Sequence, residues 1–106
     1  MGFDDGPYRI LVHKKFEKVV RKKLPSHLVN ALHKKIEYLK SNPKHPSLNT
    51  KSLNVSNAWC RQRGIDDVFE FRITKSFRCI FYVQHEQREI VLVFVGNHED
   101  VRNYTK

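Results

Sequence analysis

Between residues 68 and 96 the apolar and polar positions fall into a pattern around which the whole chain is organised. Phe69, Phe71 and Ile73 alternate with Val68, Glu70, Arg72 and Thr74, and Phe77, Cys79, Phe81 and Val83 alternate with Arg78, Ile80 and Tyr82. Period two in aromatic and β-branched residues predicts two half-buried strands. Residues 90–95, IVLVFV, are apolar throughout and close on Gly96, which predicts a third strand covered on both faces. If Thr74, Lys75 and Ser76 form a hairpin loop, Ile73 pairs with Phe77. That register gathers Phe69, Phe71, Ile73, Phe77, Cys79, Phe81 and Val83 on one face.

Upstream the period changes. YRILV at residues 8–12 predicts a short first strand, and Phe16, Val19, Val20 and Leu24 then form a helical apolar stripe. Pro25 ends that helix, and Ser26 is placed to cap a second one, with Leu28, Leu32, Ile36 and Leu39 on its inner face. Residues 42–57 carry prolines, asparagines and serines without a sustained period and predict a loop. Trp59 opens the run into the sheet, and residues 97–104 follow it as a tail. The fold class is therefore α+β, in the order β-α-α-β-β-β: an N-terminal strand and an αα-hairpin laid on one side of a mostly antiparallel sheet. Phe16, Leu28, Leu32, Ile36, Phe71, Phe81, Val91 and Val93 are the expected core.

The same hairpin register sets Arg72 directly opposite Arg78. Like charges facing each other across a sheet destabilise it by about 0.2–1 kcal/mol, so stability alone does not call for this pair. Two guanidiniums on one face suit a phosphate, which each can grip through its planar fork. Composition points the same way: 20 Lys and Arg against 11 Asp and Glu give a net charge of +9, which calls for a polyanionic partner. Lys14, Lys15, Lys18 and Lys22 around the first helix, with Lys51 and Lys75 nearer the sheet, are candidate contacts to a nucleic-acid phosphate backbone or to an acidic partner segment.

Other chemistry finds little footing. The chain of 106 residues is expected to be one domain over 1–106, with 1–7 a loose tail. No apolar run approaches the roughly 18 residues of a membrane span. Cys60 and Cys79 do not make a disulfide framework, and no secretory signal precedes them, so a reduced, cytoplasmic protein without membrane attachment is expected. The six histidines lack zinc-motif spacing, no glycine-rich phosphate loop exists and no serine sits in a nucleophile elbow. No metal and no cofactor is expected. His98, just after the last strand, is a candidate general acid because imidazole titrates near neutrality. Tyr104 can stack on a base or lend a hydroxyl.

Taken together, FEFRITKSFRCIFYV, IVLVFVGNHEDVRNY and the preceding LPSHLVNALHKKIEYLKSNPKHPSLNTKSLN resemble the RelE/ParE toxin superfamily of bacterial type II toxin–antitoxin systems. The likeness covers residues 14–104, and the spacing of R-I-T-x-x-x-R is nearest to YoeB-like members. It implies a small α+β toxin held by a cognate antitoxin and, in the RelE-like branch, an endoribonuclease that cleaves mRNA in the ribosomal A site. On that resemblance Arg72 contacts the scissile phosphate and Arg78 stabilises its charge. His98 falls where YoeB-like and YafQ-like members carry a catalytic histidine, and Tyr104 matches a C-terminal site tyrosine of RelE.

Two departures bear on the chemistry. RelE-type members carry a lysine where this chain has Glu70, and YoeB-type members carry a glutamate base in a loop that here, over residues 44–55, contains no acid. The general base is left open among Glu70, His45, Lys51 and the ribosome. Two alternatives stand beside the nuclease: a non-catalytic, ParE-like gyrase inhibitor, and an inactive relative that only binds RNA or antitoxin.

Overall fold

The computed structural model describes residues 7–106; the expected tail lies, apart from Pro7, outside the described residues. The sheet comprises β1 (Arg9–Val12), β2 (Lys51–Ser52), β3 (Asp67–Arg72), β4 (Phe77–Gln84) and β5 (Glu89–Asn97), in spatial order β1-β5-β4-β3-β2. All pairings are antiparallel except β1 with β5, which is parallel. The helices are α1 (Phe16–Lys23), α2 (Val29–Ser41), α3 (Asn57–Arg63) and α4 (His98–Tyr104).

The hairpin register is the one the alternation predicts, with Phe71 opposite Cys79 and Arg72 opposite Arg78. Phe69, Phe71, Ile73, Cys79, Phe81 and Val83 form the larger core with Phe16, Leu24, Leu32 and Leu39 of the αα-hairpin, and Leu28 and Ile36 pack against it. Burial of this continuous apolar face, at about 25 cal/mol per Å² removed from water, is the main force holding the helices on the sheet.

The expectation that helices cover one side only is corrected. The second face carries Val68, Ile80, Tyr82, Val91, Val93 and Phe94 and has its own core, closed by Trp59 of α3 and by Val101 and Tyr104 of α4. A β-bulge enriches that face. Ile80 pairs with Phe94 and Phe81 with Leu92, so Val93 is the extra residue, and both Val93 and Phe94 join the second core. Such a surface cannot be left to water, and the segments read as an approach run and a tail fold into helices that cover it.

Their ends are marked locally. The Ser56 side chain accepts a hydrogen bond from the Trp59 N–H at 3.0 Å, and Gly64 closes α3 in the left-handed conformation (φ 66°). Asn97 and Asp100 form a capping box at the start of α4.

Two smaller corrections concern the segments before α3. Within the expected loop over 42–57, Lys51–Ser52 pairs with β3 as a short edge strand, so the order is β-α-α-β-α-β-β-β-α. Ser26 is not the cap of α2. Ser26–Leu28 is itself a 3-10 turn leading into the helix, closed by the Leu28 N–H on the Pro25 carbonyl at 2.9 Å.

Candidate active site

The charged residues of the hairpin lie on the second face, at the end of the sheet where α4 begins. Arg72 and Arg78 are paired across β3 and β4, and Gly96 faces Arg78 from β5. Glu70 stands two residues from Arg72 on the same face, with Lys51 of β2 as its cross-strand partner. Arg78 is only 9% exposed and Glu70 only 8%. Their side chains form an ion pair, Arg78 Nη1 to Glu70 Oε1, at 3.7 Å, too long for a hydrogen bond. Glu70 Oε2, Arg72 Nε and Arg78 Nε are buried with no hydrogen-bond partner among the described residues. Leaving such a group unmade costs about 1–3 kcal/mol, more when it is charged. Three in one cluster, all on charged groups, single it out as the candidate site.

Gly96 explains how Arg78 comes to be covered. A Cβ on residue 96 would lie 2.5 Å from Asp100 Cβ, so the first turn of α4 rests directly on the backbone beside Arg78. That turn is fastened three ways. The Asn97 N–H donates to Asp100 Oδ2 at 3.1 Å and the Asp100 N–H to Asn97 Oδ1 at 2.8 Å. Lys23, at the end of α1, reaches Asp100 Oδ1 at 3.3 Å. His98 is the first residue of α4, exposed, and two residues beyond the Gly96 that pairs with Arg78. Arg72, Arg78, Glu70 and His98 thus share one end of one sheet face.

Tyr104 is not brought to them. It lies at the far end of α4, about 9 Å along the helix from His98 at 1.5 Å per residue. Its hydroxyl meets that of Tyr82 at 2.6 Å, and its ring packs on Phe94 with centroids 4.8 Å apart. Burial, helped by the Tyr82 hydrogen bond, pushes the Tyr104 phenol far above its usual range. Arg63 stacks on Trp59 beside this cluster, 3.6 Å from the ring centroid. A cavity of about 550 Å³ opens between Tyr82, Phe94, Tyr104, Arg63 and the start of α1.

His45 is also elsewhere. Its Nδ1 accepts the Ser47 N–H at 3.1 Å and its ring stacks on Tyr38 of α2 at 4.1 Å, on the side of the larger core. Lys51 is exposed across from Glu70, and Lys75 is exposed at the hairpin tip. Lys14, Lys15, Lys18 and Lys22 are exposed on and just before α1. Burial raises the pKa of both thiols, strongly for Cys79, which leaves neither suited to act as a nucleophile. Among the described residues no cluster of three or more potential metal ligands occurs, and no helix is long and apolar enough to cross a membrane.

Sequence reasoning passed over Gly96, Asp100 and Lys23 as site-building residues. The Asn97-x-x-Asp100 capping pattern was a usable signal for the first two, because it predicts a helix starting on top of Gly96. For Lys23 no local signal exists, since its partner is 77 residues away.

The sequence matches no protein-family model and no curated protein. Its fold does match solved structures. One is a chain of the DinJ–YafQ toxin–antitoxin complex of E. coli, with TM-score 0.66 and 13% identity over 91% of this chain and 98% of that one. Another belongs to the archaeal RelE–RelB complex of Pyrococcus horikoshii OT3, with TM-score 0.64 and 18% identity over 87% and 96%. A third belongs to the RelB–RelE antitoxin–toxin complex of Methanococcus jannaschii, with TM-score 0.63 and 20% identity over 91% and 99%. The chain has the RelE-like fold.

Proposed function

We propose that this chain is the toxin of a toxin–antitoxin pair and acts as a ribosome-dependent endoribonuclease on mRNA. The observation that carries the reading is the opposed pair Arg72–Arg78, with buried, unpartnered Nε atoms, sharing one sheet end with a carboxylate and an exposed histidine. In this reaction the substrate 2′-oxygen attacks the adjacent phosphorus. Glu70, whose Oε2 is unengaged, takes the 2′-hydroxyl proton. The bond from phosphorus to the 5′-oxygen breaks, and His98 in its protonated form delivers a proton to that oxygen. The products are a 2′,3′-cyclic phosphate and a 5′-hydroxyl.

Arg72 and Arg78 bind the non-bridging oxygens and stabilise the charge that grows in the transition state, which is the main source of acceleration in such chemistry. No metal or cofactor takes part in this scheme. DNA is not a substrate, because it lacks the attacking hydroxyl. Of the other bases the sequence allowed, His45 is engaged on the opposite face.

The exposed lysines of α1 supply sequence-independent attraction to ribosomal RNA and mRNA phosphates, and Lys51 and Lys75 flank the arginines. An antitoxin partner is supported by the complexes in which the similar folds were solved, and an acidic segment would screen the excess charge of +9. A non-catalytic relative is the second reading, favoured by the position of Tyr104 in the packed aromatic cluster rather than beside the arginines. A ParE-like gyrase inhibitor belongs to that class.

Primer extension on a reporter mRNA in a translating extract tests both, with native chain, Arg78→Ala and His98→Ala, with and without ribosomes. Cuts that require ribosomes and vanish in both variants are expected. Intact mRNA in every lane, with gyrase supercoiling blocked at stoichiometric protein, would replace the nuclease with the inhibitor.

A further inference from the structure

Glu70 stands where a simple phosphate cradle would be better served by a lysine or a neutral residue. It is buried, it faces Arg78 at 3.7 Å, and it is held there by strand register rather than by a flexible loop. The two guanidiniums and this carboxylate leave the cluster one unit of positive charge. The other charges nearby do not alter that balance inside the site. Asp100, over Gly96, is matched by Lys23. Lys51, across from Glu70, is exposed and makes no ion pair with it, and His98 is exposed. We infer that Glu70 is a specificity-determining residue that trims the arginine pair toward a phosphodiester monoanion, taking from phosphomonoester dianions most of the electrostatic advantage that two unopposed guanidiniums would give them.

The inference rests on phosphate binding at Arg72 and Arg78, as in the reading above, and adds a second role to the carboxylate. An internal RNA phosphate carries one negative charge. Inorganic phosphate, nucleoside monophosphates and 3′-phosphate ends carry about −1.5 to −2 at pH 7, with a second ionisation near pH 6. Repulsion by a fixed carboxylate scales with ligand charge, so it acts about twice as strongly on a dianion as on a diester. Both the diester substrate and a cyclic product are monoanions, and they fit. Free phosphates and nucleotides then compete with the diester on smaller terms than they would at two unopposed arginines.

The test is calorimetric titration at pH 7.5 with two probes, adenosine 3′-monophosphate and a 2′-deoxy dinucleotide that cannot be cleaved. The native chain, Glu70→Gln, Glu70→Asp and Arg78→Ala are compared. In Glu70→Gln the monoester affinity should rise at least tenfold more than the diester affinity, as expected on removing one unit charge about 4–6 Å away. Glu70→Asp keeps the charge and should keep the native ratio, which a packing defect alone would not do. Equal shifts for the two probes in Glu70→Gln would overturn the inference while leaving phosphate binding intact. Binding that survives Arg78→Ala unchanged, or no binding of either probe at millimolar concentration, would overturn both the inference and the reading of the site.

Should Glu70→Gln fail to fold, the native chain decides by itself. Between pH 5 and 8 its monoester affinity, relative to the diester, should rise less than about threefold across the second phosphate ionisation near pH 6. A tenfold rise would show that the carboxylate is not felt and would overturn the inference.

Discussion

The two ends of the second sheet face are built from the same strands and put to opposite uses. At the Tyr104 end, the hydroxyls of Tyr82 and Tyr104 share a hydrogen bond, their rings pack edge-on and tilted against Trp59 and Phe94, and a single neutral N–H, Trp59 Nε1, is buried without a partner. At the Arg78 end, further along the same strands, polar atoms are buried and unmatched, like charges face each other, and the Glu70 counter-ion sits at 3.7 Å. The same face leaves one neutral N–H unmatched at one end and gathers three unmatched atoms of charged groups at the other, an imbalance that supports reading the arginine end as the site. Such frustration is expected where local consistency yields to binding or chemistry.

The sharpest way to break this comparison is Arg78→Ala. Removing one preorganised donor from a growing oxyanion costs about 10²–10³ in rate, so single-turnover cleavage of ribosome-bound mRNA should fall by that factor. The fold should persist at reduced stability, because the buried Glu70 loses its ion pair but Arg72 stays two residues away on the same face. A loss of folding in circular dichroism would instead make Arg78 a scaffold residue.

Gly96→Ala comes next. Its Cβ would collide with Asp100 Cβ, and overpacking of that kind costs about 1–3 kcal/mol, readable as a lowered urea midpoint. Because the clash lifts the first turn of α4, cleavage should fall as well.

At the other end, Tyr104→Phe removes one hydroxyl hydrogen bond and should cost about 0.5–1.5 kcal/mol with cleavage changed by less than about threefold. It should also alter the alkaline limb of stability. The Tyr104 pKa is raised above its ordinary 10.0 in the folded chain, so its contribution is present below pH 10 and is lost as pH rises beyond it, when only the unfolded chain ionises readily. Native protein should lose stability above pH 10 more steeply than Tyr104→Phe in paired urea titrations. Cys79, also raised by burial, is common to both and cancels.

The smallest effect is expected for Lys23→Ala. Its bridge to Asp100 is partly exposed and is worth about 0–1 kcal/mol. A large fall in cleavage without a matching loss of stability would show that the bridge positions His98 rather than merely pinning α4.

Much of this was legible in the sequence, and the boundary is instructive. Period-two alternation fixes the hairpin register, and through it the Arg72–Arg78 pair, because a slip of one residue would turn Phe69, Phe71, Cys79 and Phe81 to the wrong face. The αα-hairpin followed from the i, i+4 spacing of Leu28, Leu32 and Ile36. The second core was harder to see. Residues 57–63 and 98–104 are one to two turns long, too short for an apolar period to stand out. Their caps at Ser56, Gly64, Asn97 and Asp100 were the readable signal. The bulge at Val93 follows from pairing with β4 and left no mark within residues 90–95 themselves. Tyr104 reads as a site residue from its side-chain chemistry and from the resemblance, but the length of α4 and the aromatic face below it carry it away from the arginines.

The measurement that reaches the central claim most directly is end-group analysis of mRNA cut in single turnover by native protein, Arg78→Ala and Tyr104→Phe. Native protein and Tyr104→Phe should leave 2′,3′-cyclic phosphate and 5′-hydroxyl ends at comparable rates, and Arg78→Ala should leave almost none. Cleavage that persists in Arg78→Ala, or that is lost equally in Tyr104→Phe, would contradict the assignment of chemistry to the arginine end.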